Sequence, residues 1–80
     1  MTLMNEKTDK LVTEGKIWRW EPKRATGVIE SFDGVHIWFG LNAILGRNFD
    51  EISIGDMVEV EYKHAQQGSH SLRAVSITWK

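Results

Sequence analysis

Aromatic and cationic side chains with the chemistry of non-covalent recognition lie close together in the chain. Trp18, Arg19 and Trp20 are consecutive, Arg24 follows shortly after, and Trp38 is the next tryptophan. An indole ring can stack on a nucleic-acid base, and a guanidinium group can stack on a ring or pair with a phosphate. These residue types therefore point to binding by stacking and charge.

The overall charge argues against strong non-specific attraction to nucleic acid. The formal net charge is −1, whereas nucleic-acid-binding domains are normally basic. The charge is nevertheless uneven, because residues 15–30 hold more lysine and arginine than glutamate, and residues 51–63 are mainly acidic. Charge alone also fits an ordinary solvated surface.

The sequence contains no recognisable catalytic or metal-binding constellation. The absence of cysteine excludes a disulfide, a zinc knuckle and a thiol nucleophile. His36, His64 and His70 have no carboxylate at a metal-like spacing, no serine has a triad context, and the glycines do not form a phosphate-binding loop. We therefore predict no enzyme, no metal and no cofactor.

The composition also bounds size and compartment. Eighty residues make one small domain. No stretch has the pattern of a signal peptide or the length of a membrane span. A cysteine-free domain of this size is typical of the cytosol, so we expect a cytoplasmic protein without a membrane partner.

Five short segments have the composition of β-strands separated by turns. Residues 1–14 show no clean period and are predicted to be a flexible N-terminal arm, and residues 15–80 form the domain. Strand-forming residues and turn signals such as Asp33-Gly34 predict strands at 17–20, 26–30, 35–39, 57–63 and 72–79.

The predicted core follows from alternation along these strands. Val58 and Val60 alternate with Glu59 and Glu61, which is typical of a half-buried strand with an acidic outer face. The inward positions of the predicted strands and of the turn near residue 44 are Ile17, Ile29, Ile37, Phe39, Ile44, Val58, Val60 and Val75.

Several short motifs resemble those of bacterial cold-shock domains over residues 15–79. They read GKI at 15–17, GVIE at 27–30, IWF at 37–39, NAI at 42–44 and ISIGDMV at 52–58, with Phe49 before the last. The resemblance implies an all-β fold, a small five-stranded antiparallel barrel of the OB type.

The two nucleic-acid-binding motifs of that family are altered in this chain. The family's first motif is KGFGFI, and residues 24–29 read RATGVI. Its second motif is VFVHF, and residues 37–41 read IWFGL. Both phenylalanines of the first motif are therefore missing, and Trp38 is the aromatic residue kept from the second.

The resemblance also implies a strand register and a candidate site. It places Lys16 opposite Glu30, Trp18 opposite Val28 and Trp20 opposite Thr26, so that Trp18, Trp20 and Trp38 share one outer face. The implied nucleic-acid-binding residues are Lys16, Trp18, Arg19, Trp20, Arg24, Val28, Trp38, Leu41 and Phe49.

Two functions are compatible with such a face. The first, implied by the resemblance, is weak to moderate binding of single-stranded RNA or DNA, in the role of an RNA chaperone or a modulator of gene expression. The alternative is a protein-interaction module or a homodimer that uses the aromatic face of the barrel. The three tryptophans and nearby cations favour the first function, whereas Thr26 and Val28 favour the second.

Overall fold

The chain folds into a closed barrel of five strands. The computed structural model describes residues 11–67 and 70–80. The strands are β1 (Leu11–Glu21), β2 (Thr26–Ser31), β3 (His36–Phe39), β4 (Met57–Gln67) and β5 (His70–Trp79), with two 3₁₀ turns at Leu41–Ala43 and Phe49–Glu51. The strands close in the order β1-β2-β3-β5-β4. The predicted all-β barrel of the OB type is confirmed.

One strand pairing differs from the antiparallel barrel that was predicted. Four neighbouring pairs are antiparallel, but β3 and β5 run parallel and meet through Trp38 and Arg73. The reason is geometric. An odd number of strands in a closed ring cannot alternate direction throughout, so at least one neighbouring pair must be parallel.

Strand β1 is longer than predicted because it joins two sides of the barrel. Its first half pairs with β4 and its second half with β2, and Gly15 lies where the two ladders meet. A Cβ atom at Gly15 would lie 2.4 Å from the carbonyl oxygen of Glu30, so this close crossing requires glycine.

The start of β1 also corrects the predicted N-terminal arm. Residues 11–14 pair with β4 and belong to the strand, while the rest of the predicted arm lies outside the described residues. Leu11 and Val12 are both exposed. Because this segment buries no apolar face, its sequence shows no alternating pattern that would have predicted a strand.

Six of the eight predicted core residues fill the barrel interior. Buried as predicted are Ile17, Ile29, Ile37, Phe39, Val58 and Val60. Ile44 and Val75 are only half-buried. On β5 the inward positions belong to Ala74 and Ile77, because a register shift opposite β4 leaves Val75 as an extra, unpaired residue.

Candidate nucleic-acid interface

A bulge in β1 places two of the predicted site residues next to each other. Ile17 pairs with Ile29 and Arg19 pairs with Val28, so Trp18 is an extra residue in the ladder. In a bulge, two residues of one strand oppose a single residue of the other. Trp18 and Arg19 are accordingly both exposed, and the Arg19 guanidinium carbon lies 5.2 Å from the centre of the Trp18 ring.

The same bulge turns Trp20 towards the interior. Its ring is half-buried, packs against the core and lies parallel to the ring of Phe39 at 5.8 Å. The prediction that Trp20 shares an outer face with Trp18 and Trp38 is therefore wrong. The implied pairing of Lys16 with Glu30 is confirmed, but Trp18 does not pair with Val28, and Thr26 pairs with Glu21 rather than Trp20.

Gly27 leaves the space in which these two aromatic rings meet. It is the backbone partner of Trp20 on one side and of Phe39 on the other. A Cβ atom at Gly27 would lie 2.4 Å from the carbonyl oxygen of Arg19 and 2.6 Å from the Phe39 ring. Gly27 thus has a packing role.

Trp38 lies on the outer face with an arginine against its ring. Its neighbours in the ladder are Val28 on β2 and Arg73 on β5. The Arg73 guanidinium carbon lies 5.0 Å from the centre of the Trp38 ring, within cation–π range. Lys63 on β4 is in turn the partner of Arg73. Neither Arg73 nor Lys63 was predicted, because only the closure of the barrel places Arg73 beside Trp38 and Lys63 one strand further on.

Trp18, Arg19 and Trp38 border a groove of about 550 Å³, referred to below as the outer groove. It is lined by Trp18, Arg19, Glu21, Arg24, Thr26, Gly27, Val28, His36, Trp38 and Leu72. Trp18 and Trp38 belong to strands on either side of Val28. Because neighbouring strands lie about 5 Å apart, the backbones that carry the two rings are separated by about 10 Å.

The charge of the outer groove is mixed but mainly cationic. Arg19 and Arg24 are exposed, and the Arg24 Nε atom lies 3.8 Å from a carboxylate oxygen of Glu21. At the other edge, the Nε2 atom of His36 lies 3.3 Å from the Glu30 carboxylate. Exposed ion pairs of this kind are weak, so Arg24 can exchange its contact with Glu21 for a phosphate.

The remaining predicted site residues lie outside the outer groove. Lys16 is exposed, and Leu41 is 58% exposed on the first 3₁₀ turn. Phe49 packs its ring edge against Trp20 at 5.7 Å, and so belongs to the cluster around Phe39. The structure thus brings together Trp18, Arg19, Arg24, Val28 and Trp38 from the predicted set.

Sequence reasoning missed two further groove residues with charged or titratable side chains. Glu21 ends β1, and His36 begins β3, where its ring stacks on Trp18. Alternation next to the buried Ile37 places His36 outward, but alternation from Ile17 places Glu21 inward, and only the bulge at Trp18 turns it outward. Neither pattern shows that the two residues border the same groove. That information lies in the pairing of three strands.

No model of a known protein family matches the chain, and no curated protein matches its sequence. Across residues 11–67 and 70–80, no three histidine, aspartate or glutamate side chains are grouped so that they could hold a metal ion. In that same part of the chain, no helix is long and apolar enough to cross a membrane. The interpretation of the outer groove therefore rests on its own geometry.

Proposed function

We propose that this chain is a divergent cold-shock-like protein of the cytoplasm that binds single-stranded nucleic acid in the outer groove and catalyses no reaction. The observation that carries the proposal is the arrangement of Trp18 and Trp38. Both lie on the outer face, on either side of Val28, and each has an arginine against its ring. A stacked base contributes ~1–3 kcal/mol with little sequence preference.

A single strand suits this surface better than a duplex. Stacking on an indole needs an unpaired base whose flat face is accessible, whereas the bases of a duplex stack on each other. Phosphates between two stacked bases can reach the guanidinium groups of Arg19 and Arg73 or that of Arg24. The expected ligand is therefore a flexible strand held by a few stacking contacts.

The biological role follows from the resemblance to cold-shock domains. A protein that holds single strands without chemistry can act as an RNA chaperone or as a modulator of transcription or translation. The competing function, a protein-interaction or homodimer surface, is favoured by Thr26 and Val28, which stand where the family has its two phenylalanines. A direct binding test separates the two.

The test measures binding of dye-labelled oligothymidine and oligouridine by fluorescence anisotropy at low salt. Replacing Trp38 with alanine should weaken binding by ~1–3 kcal/mol, because one platform is lost. Phe32→Ala is the matched control, since Phe32 is 82% exposed and lies outside the lining of the outer groove; its affinity should equal that of the wild type. If the wild type binds neither oligonucleotide, the protein-interaction function takes the place of this one.

A further inference from the structure

His36 lies between Trp18 and Glu30 at the edge of the outer groove. Its imidazole ring stacks on the Trp18 ring, with 4.3 Å between ring centres and 25° between planes. Its Nε2 atom lies 3.3 Å from a carboxylate oxygen of Glu30, the residue opposite it on β2. The histidine therefore touches both a candidate platform and a carboxylate.

The position of the Trp18 ring depends on such side-chain contacts. Trp18 is the extra residue of the bulge, so no residue of β2 stands directly opposite it. Trp18 is 40% exposed, and its ring contacts His36 and the guanidinium of Arg19. Glu30 holds the imidazole from the other side, and this fixes the surface against which the indole rests.

We propose that His36 positions the Trp18 ring and that protonation of His36 strengthens nucleic-acid binding in the outer groove. This inference rests on the proposed function. When His36 is neutral, the carboxylate of Glu30 stands near the strand's phosphates without its histidine counter-charge. When His36 is protonated, the pair becomes neutral and repels phosphate less.

The sign of the pH dependence follows from the charges around His36. The charged side chains that line the outer groove with His36, or lie in the rows of the ladder through His36 and Trp38, are Lys16, Arg19, Glu21, Arg24, Glu30, Lys63 and Arg73. Histidine is the side chain that ordinarily changes charge between about pH 5 and 8. Because a bound phosphate favours the protonated ring, linkage requires affinity to rise as the pH falls through this range.

Two variants and a control separate the effect of the His36 ring from that of its proton. His36→Phe keeps an aromatic ring against Trp18 but cannot be protonated, and His36→Gln removes the ring as well. His64→Gln is the matched control, because His64 is exposed and lies outside the lining of the outer groove. A purely structural role for His36 would leave the pH profile of binding unchanged by any of these substitutions.

The first measurement is the affinity for oligothymidine without terminal phosphates, whose bases do not titrate in the range used. From about pH 8 to pH 5.5, wild-type and His64→Gln proteins should bind about two- to fivefold more tightly. The log–log salt slope should steepen by about 0.7, the value for one more neutralised phosphate. His36→Phe should show no change of affinity with pH, and His36→Gln should bind more weakly than His36→Phe at pH ~8, because it also lacks the ring against Trp18.

The second measurement uses the free protein. Tryptophan emission should change with pH in the wild type and in His64→Gln, but not in His36→Phe or Trp18→Phe, because a charged ring against Trp18 alters its emission. A wild-type pH profile of binding in His36→Phe would overturn the inference, as would a free-protein emission that does not respond to pH. If oligothymidine does not bind at either pH, both the proposed function and the proton-linked binding are wrong. The emission of the free protein then decides by itself whether His36 positions Trp18.

Discussion

Four tryptophans occupy three different environments in this small barrel. Trp18 and Trp38 reach the outer groove, and Trp20 stacks on the core residue Phe39. Trp79 donates its Nε1 hydrogen to Asp56, 3.2 Å away, and so anchors the last strand. Residue type alone therefore identifies a stacking chemistry, and the direction of each side chain decides which ring can use it.

At the scale of the residue, the sharpest test moves the aromatic ring from position 18 to position 28. The cold-shock resemblance places a lysine at Trp18 and a phenylalanine at Val28, which lies at the centre of the outer face. Trp18→Lys should weaken oligonucleotide binding, because one screened surface charge does not replace a platform worth ~1–3 kcal/mol. Adding Val28→Phe should restore binding, since the ring returns to the position implied by the family.

The control for the added charge is Thr78→Lys, at an exposed position on β5 outside the outer groove. Anisotropy with the same oligonucleotides at low salt measures all of the variants. Tighter binding by Trp18→Lys alone would contradict the view that the aromatic platform has moved from β2 to β1.

At the scale of elements, the bulge in β1 decides what the strand does. Before the bulge, Ile17 faces the core and Lys16 faces solvent. After the bulge, the side chain of Trp20 points inward, and those of Trp18 and Arg19 lie together on the outer face. One inserted residue thus converts an alternating strand into a paired aromatic and cationic site on one side and an aromatic core contact on the other.

This arrangement predicts that replacing Trp20 mainly lowers stability, whereas replacing Trp18 mainly weakens nucleic-acid binding. Trp20→Ala should lower the free energy of unfolding by roughly 2–3 kcal/mol, because the Trp20 ring packs on Phe39. The loss is smaller than the roughly 3–5 kcal/mol expected for a fully buried tryptophan, because Trp20 is only half-buried. Trp18→Ala should cost about 1 kcal/mol or less but weaken nucleic-acid binding. Urea unfolding followed by circular dichroism measures the stability of each. If Trp20→Ala instead leaves the stability unchanged and abolishes binding, the side chain of Trp20 lies on the outer face.

At the scale of the whole molecule, the net charge of −1 conceals a division of charge. Arg19, Arg73 and Lys63 lie along one row of the ladder that includes Trp38. On the neighbouring side, Glu14 and Glu59 stand opposite each other where β1 pairs with β4, and Glu14 forms an ion pair with Lys80. The cationic side is therefore the side on which the outer groove lies.

This division predicts a moderate salt dependence of binding. With about two to four phosphates neutralised, the log–log slope for a single strand should be about −1.5 to −3. Arg73→Gln should reduce its magnitude by about 0.7. Arg47→Gln should leave it unchanged, because Arg47 stacks on Trp79 at 5.2 Å, outside the outer groove. A much steeper wild-type slope would indicate a larger basic surface, such as one formed by association of several copies.

The sequence by itself determined the features that depend on local alternation. Val58, Val60, Ile29 and Ile37 could be placed inside because side chains on a regular strand point alternately to opposite faces. The resulting pattern of short strands predicted the barrel, and the identities of Trp18 and Arg24 predicted stacking and phosphate contacts. Each of these inferences needed only neighbouring residues.

The tertiary structure alone decided the features that depend on breaks in alternation and on closure. The extra residues at Trp18 and Val75 arise where one strand must match two others, and no residue type marks them in advance. Closure of five strands imposes the parallel pairing that brings Arg73 to Trp38. The stacking of His36 on Trp18 likewise spans three strands. The physical reason is that a bulge shifts every later side chain to the other face, so the composition of the outer groove is set by the packing of the whole barrel.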